Sequence, residues 1–156
     1  MRDSRVTILP STTITADGTY YGSTISLLAD YAGNSHIYGT SFYGLPIECI
    51  VKSVVTGTGD GFTITFSFQV GDDGSSWDEH EEFQTITVDT NGAFLNQNDS
   101  NSVSTLTRAK ANGRLKTARA YGRVKIVTSG MSGGEQFAVS GFLSDGTNPM
   151  NDGKFR

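Results

Sequence analysis

The residues of this chain best suited to chemistry are one cysteine, two histidines, an acidic cluster and a glycine-rich turn. Cys49 could act as a nucleophile, but it sits in Ile47-Glu48-Cys49-Ile50-Val51 with no histidine or aspartate in a supporting place. Such a thiol reads as a small apolar filler of a strand, and a lone cysteine forms no intrachain disulfide. His36 is isolated and His80 lies among acids, so neither has the second histidine that a zinc site needs. Asp72, Asp73, Asp78, Glu79, Glu81 and Glu82 crowd together as calcium ligands would, yet they lack the Asp-x-Asp-x-Asp-Gly spacing. A solvated acidic turn is the expectation there. Gly57-Thr58-Gly59-Asp60-Gly61 has phosphate-loop glycines, but no Gly-Lys-Ser/Thr follows. The expectation is a protein without catalytic residues, bound metal or cofactor, and not an enzyme.

The elements that would position any site are strands. Phe62, Ile64, Phe66, Phe68 and Val70 alternate with Thr63, Thr65, Ser67 and Gln69, which places the two sets on opposite faces of a sheet. Three aromatic rings on one face require an apolar partner, which a second sheet about 10 Å away provides. The anchors expected of that core are Phe62, Phe66, Phe68 and Trp77, the last pointing inward after the turn Gly71-Asp72-Asp73-Gly74-Ser75-Ser76. Gly74 is expected at positive φ there, with aspartate side chains bonded to backbone N–H groups.

Further strands are expected at residues 23–29, 47–55, 83–88, 121–129 and 136–143. The 121–129 strand puts Val124 and Ile126 on one face and Arg123, Lys125 and Val127 on the other. Residues 103–111 fit either a short helix stopped by Asn112-Gly113 or an irregular strand. Tyr31, Tyr38, Phe42 and Tyr43 fall in a glycine-punctuated loop, suited to closing one end of the fold or to stacking on sugars. The fold expected is all-β, a single antiparallel β-sandwich, jelly-roll or immunoglobulin-like, with extended N- and C-terminal arms. Its divisions are an arm or edge strand at 1–22, the sandwich at 23–144 and a polar tail at 145–156.

Composition agrees. Gly, Thr and Ser number 19, 19 and 17 among 156 residues, favouring turns and strands over helices. A net charge of −4 argues against a dedicated nucleic-acid binder. No segment has the length and apolarity of a signal peptide or membrane span, so the chain is expected to be made and kept in the cytoplasm unless carried out inside something larger.

Charge is unevenly placed along the chain. Residues 53–107 carry nine acids and no Lys or Arg; residues 100–134 carry Arg108, Lys110, Arg114, Lys116, Arg119, Arg123 and Lys125 with no acid. Either the two segments lie together and neutralise one another, or the basic edge meets an acidic edge on another subunit or scaffold. On the second account Arg108, Lys110, Arg114, Lys116, Arg119 and Arg123 are candidate contacts with another subunit or an acidic scaffold. Nucleic acid is disfavoured as their partner, because only Tyr121 is interleaved with them.

Three pieces, ITADGTYYGSTISL, FTITFSFQVGDDGSSW and ARAYGRVKIVTSG leading into FAVSGFL, span residues 14–143. In order and character they resemble the head decoration, or capsid cement, β-sandwich proteins of tailed bacteriophages. The resemblance implies a virion component at the capsid surface, often a homotrimer, with the major capsid protein as its partner and arms reaching neighbouring subunits. It implies no active-site residues. The competing expectations are a carbohydrate-binding or receptor-binding β-sandwich, with Tyr31, Tyr38, Phe42, Tyr43 or Trp77 as its platform, and a tail or head-completion structural protein.

Overall fold

The computed structural model describes residues 5–31, 34–37, 45–95, 108–115, 117 and 119–144. The described strands are β1 (Arg5–Ile14), β2 (Gly18–Tyr21), β3 (Ile25–Ser26), β4 (Leu28–Tyr31), β5 (Asn34–Ile37), β6 (Leu45–Val55), β7 (Phe62–Gly71), β8 (Asp78–Val88), β9 (Phe94–Leu95), β10 (Arg108–Leu115), β11 (Tyr121–Ser129) and β12 (Gln136–Ser144). They form a four-stranded sheet ordered β1-β12-β6-β10 and a second sheet ordered β2-β11-β7-β8-β9, with β3 beside β11. Hairpin β4–β5 stands apart as a two-stranded unit.

The pairings β1·β12, β2·β11, β6·β10 and β7·β8 are all antiparallel. They are the rungs of one long hairpin, with Arg5 opposite Ser144 at one extremity and the β7–β8 turn at the other. Rolling that hairpin up brings β12 beside β6 and β11 beside β7. The result is a jelly roll. The all-β sandwich expected from the sequence is therefore present, and the strand order selects jelly-roll over immunoglobulin-like.

The core lies between the sheets. From β7 come Phe62, Ile64, Phe66, Phe68 and Val70, all buried, and they face Ile47, Cys49, Val51, Phe137, Val139 and Leu143 of the other sheet. Phe62 and Phe137 stack across the gap with ring centroids 5.7 Å apart. Phe62, Phe66 and Phe68 thus lie where their alternation directs them. Residues 5–21 lie within the sheets as β1 and β2, and Ile8, Leu9 and Ile14 are buried. The polar tail at 145–156 lies outside the described residues.

Three local readings change. Residues 103–111 were open between helix and strand; Arg108–Leu115 is a strand, and Asn112 and Gly113 pair with Glu48 and Ile47 instead of ending an element. Cross-strand pairing overrides the Asn-Gly stop signal. The expected strand at 23–29 is broken into β3 and β4, because the Leu27 N–H bonds Ala120 O at 2.7 Å and its side chain turns into the core. The acids from Asp78 to Glu82 belong to strand β8 rather than to a turn, and β8 accommodates them through register shifts at two points.

Strand β6 carries one extra residue where Val55 and Lys52 pair with Gln136 and Ala138, and Ser53 there has φ of +54°. A side chain in that region costs roughly 1 kcal/mol or more, and a β-branched one costs most. Ser53→Val is therefore expected to lower unfolding free energy by about 1–2 kcal/mol, whereas Ser53→Gly is expected to leave it unchanged or raised. Urea titration of the three proteins checks this.

Candidate functional site

Cys49 is fully buried, and burial, reinforced by the charge of Glu48, pushes its thiol up to about 12. A thiol so protonated is neither nucleophile nor ligand at neutral pH. Among the described residues, no group of three or more His, Cys, Asp or Glu side chains is placed to hold a metal ion.

The acidic turn is built for structure. Asp73 Oδ1 accepts the N–H groups of Ser75 and Ser76 at 2.9 and 2.8 Å, and Gly74 has φ of +72° as expected. Those N–H groups, Ser76 foremost, hold the Asp73 carboxyl down to about 2. Its folded pKa lies below the unfolded value near 3.9, so its contribution to stability is complete above about pH 4 and is lost as pH falls through about 2. The melting-temperature difference between wild type and Asp73→Ala should be present at pH 6 and shrink progressively between about pH 4 and 2.

A second carboxylate, Glu135, is enclosed where two loops meet and accepts the Gly59 and Gly133 N–H groups at 2.9 and 2.7 Å. These bonds, that from Gly133 foremost, hold its carboxyl below the ordinary glutamate range. It ties loops together and faces no open site.

The side chains with chemistry to offer converge on the outer face of the β2-β11-β7-β8-β9 sheet. Period-two alternation turns Arg123 and Lys125 of β11 and Ser67 and Gln69 of β7 away from the core, and Lys125 pairs with Ser67 and Arg123 with Gln69 in register. Ser67 and Gln69 are nevertheless buried, because neighbouring side chains cover them. Arg123 Nε donates to Gln69 Oε1 at 2.8 Å, Gln69 Nε2 donates to Glu79 Oε1 at 2.7 Å, and Lys125 Nζ donates to the same oxygen at 2.6 Å. Partial burial opposes ionisation of Glu79, but the bonds from Lys125 and Gln69 outweigh it and hold the carboxyl below its usual range. Lys125 is correspondingly raised, chiefly by its bond to Glu79.

Above this network the Arg123 guanidinium lies between two rings. Its Cζ is 3.9 Å from the Tyr21 centroid and 4.4 Å from the Trp77 centroid. Trp77 therefore does not point into the sandwich: it is half-buried on the outer face and absent from the core. Bulges in β8 and the close approach of Gly71 to Ser76 turn the chain outward at this point. Trp77→Ala is expected to cost about 1–2 kcal/mol, the scale of a partly desolvated cation–π contact, rather than the 3–5 kcal/mol of a core aromatic. Thermal denaturation checks it.

The remaining basic candidates separate by position. Arg119 Nε meets Asp72 Oδ1 at 2.6 Å and its Nη2 meets Asp78 Oδ2 at 3.0 Å, so the acidic and basic segments do neutralise one another here within one chain. Arg108, Lys110 and Arg114 occupy alternate register positions on β10, an edge strand of the four-stranded sheet. Lys116 lies outside the described residues, as do Tyr38, Phe42 and Tyr43 of the expected aromatic loop; Tyr31 is part of β4. The sequence reading overlooked Tyr21, Gln69, Glu79 and Lys125 as site residues. Strand parity does place Gln69 and Lys125 on a shared face, but nothing local to Tyr21 points to Trp77.

The described residues thus define a jelly-roll β-sandwich with an ordered polar and aromatic outer face. No family model matches the chain, and no curated protein matches it in sequence. Among solved structures it is similar to the VP2 subviral particle of infectious bursal disease virus, with a TM-score of 0.50 and 14% identity over 93% of this chain and 33% of that one. It is also similar to the infectious bursal disease virus Gt strain, at TM-score 0.48 and 14% identity over 93% of this chain and 33% of that one. A family 6 carbohydrate-binding module is similar at TM-score 0.38 and 12% identity, over 92% of this chain and 83% of that one. The chain spans about a third of the length of the viral chains it matches. At 14% identity the likeness to the VP2 chain shows a shared β-sandwich fold and no more.

Proposed function

We propose that this chain is a non-enzymatic structural protein of a virion, a jelly-roll module that binds the outside of a phage capsid and stabilises it. The observation that carries this reading is the complete jelly roll with a fully apolar interior, similar in fold to a third of a viral capsid subunit, on a chain whose sequence order resembles capsid cement. Its one thiol is sealed, Asp73 caps a turn, and Asp72 and Asp78 pair with Arg119. Among the described residues, β1 and β10 have a neighbouring strand on one side only in the four-stranded sheet. Edges are the natural place for another subunit to add a strand. Repeated over a shell, weak contacts of this kind sum to tight attachment. The basic register positions of β10 suit an acidic patch on the shell, and a homotrimer places three such edges on one lattice site.

The test is co-sedimentation of the purified chain with shells assembled from the major capsid protein of the same genome, together with light scattering of the chain alone. Saturable binding that raises the temperature at which the shells open, and a mass near three times 16.7 kDa, are expected. Shells that neither bind the chain nor gain heat resistance would overturn the assignment. Loss of binding at high salt would locate it at the charged edge.

A further inference from the structure

We propose that Arg123, framed by Tyr21 and Trp77, is the recognition residue of a binding site for carboxylated saccharides on the outer face of the second sheet. This goes beyond a capsid role and does not depend on it. Among the described residues, Arg119 and Lys125 each pair with a carboxylate, whereas Arg123 pairs with none. Its Nε is fixed by Gln69, and among the described residues its terminal Nη groups have no hydrogen-bond partner, so their donors are kept for a ligand. The guanidinium is also preorganised. Ring centroids 3.9 and 4.4 Å from its Cζ confine it, and the Lys125–Glu79–Gln69 relay fixes its Nε end through bonds of 2.6–2.8 Å. A fork held in this way loses little freedom on binding and matches a carboxylate bidentately.

The chemistry of the ligand follows from the surroundings. On this face, among the described residues, Arg123 offers one positive charge without a carboxylate partner, which suits a single carboxylate better than a dianionic phosphate ester, and a chain of net charge −4 does not surround it with the several cations that a nucleic-acid backbone requires. Tyr21 is 49% exposed and Trp77 is half-buried, and amphipathic rings of this kind pack against the C–H faces of a pyranose while leaving its hydroxyls wet. The adjoining face is lined with hydroxyls, with Thr65 Oγ1 and Thr85 Oγ1 3.1 Å apart on neighbouring strands. A peptide would draw on backbone partners at a sheet edge or in a groove, whereas Arg123 and Gln69, on the inner strands β11 and β7, offer side chains alone. A uronate or sialate residue presents the carboxylate, the apolar ring face and the hydroxyls together.

Trp77 is the single tryptophan of the chain, so its fluorescence reports on the site directly. The purified chain is titrated with trigalacturonate, trigalactose, N-acetylneuraminate and a hexaglutamate peptide. A saturable change with one or both acidic sugars is expected, with trigalactose and the peptide at least about tenfold weaker. Arg123→Lys, which keeps the charge and removes the fork, should weaken binding by about 10- to 100-fold. In case that variant is poorly folded, nitrogen-15 NMR of the wild type must show the Arg123 guanidinium and Trp77 indole signals moving with the acidic sugar. Equal response to neutral and acidic sugars would overturn the carboxylate specificity, and equal or stronger response to the peptide would make the face a protein-docking surface. No response to either acidic sugar would overturn the site, and none of these outcomes bears on capsid binding.

Discussion

Phe66→Ala is expected to lower the unfolding free energy by about 3–5 kcal/mol, and the melting temperature by roughly 10 °C or more. Phe66 is fully buried at the middle of β7, the strand that lies between β11 and β8. Its partners in register are Ile126 and Gln84, so truncation opens a cavity that two flanking strands would have to collapse to fill. Antiparallel pairing on both sides resists that collapse, which keeps the cost near the upper part of the range. For a domain of ordinary stability, about 5–15 kcal/mol, this is a large fraction of the total. Chemical denaturation measures it, and a loss below about 1 kcal/mol would mean that the two sheets do not close over this ring.

Gly122→Val is the opposite experiment at the same interface, overfilling the core where Phe66→Ala empties it. Gly122 is buried in β11 at an inward-facing position, and a Cβ there would lie 2.6 Å from Phe68 Cζ, closer still to Cε1, and 3.3 Å from Leu27 Cδ1. The missing side chain is the space that the Phe68 ring occupies. Valine is expected to cost about 2–3 kcal/mol through forced displacement of that ring. Phe68→Leu should recover part of the loss in the double variant, because the smaller side chain vacates the contested volume. Additive losses in the double-mutant cycle would show that the two residues do not compete for one space. Neither substitution touches the outer face, so the Trp77 fluorescence response to sugar should survive wherever the protein folds.

The sequence was legible where one residue's neighbours along the chain settle its environment. Alternation separated Phe62, Phe66 and Phe68 from Gln69 in β7, and Val124 and Ile126 from Arg123 and Lys125 in β11, and the apolar set of each strand is the one in the hydrophobic core. Gly74 and Asp73 were legible for the same reason, since a tight turn is decided within four residues. Trp77 was misread because it follows a turn, where alternation no longer carries direction, and bulges in β8 reset it. Residues 108–115 were ambiguous because Asn112-Gly113 is a stop signal in isolation and an ordinary pair of ladder residues once β6 lies alongside.

The charge division marks the boundary between the two kinds of information. Composition located an acidic and a basic segment but could not say whether they meet in one chain. Pairing of β7 with both β8 and β11 places Glu79 within reach of Lys125, and the β7–β8 turn places Asp72 and Asp78 within reach of Arg119. By itself, then, the sequence determined the class of fold, the core faces and the chemistry of the turns, because period-two burial and turn geometry are short-range. Only the tertiary structure decided the jelly-roll order, the stacking of Tyr21, Arg123 and Trp77, and which of the described cations find a carboxylate partner. Those depend on which strands become neighbours after the long hairpin rolls up, and contacts between residues 21, 77 and 123 have no local signature in the chain.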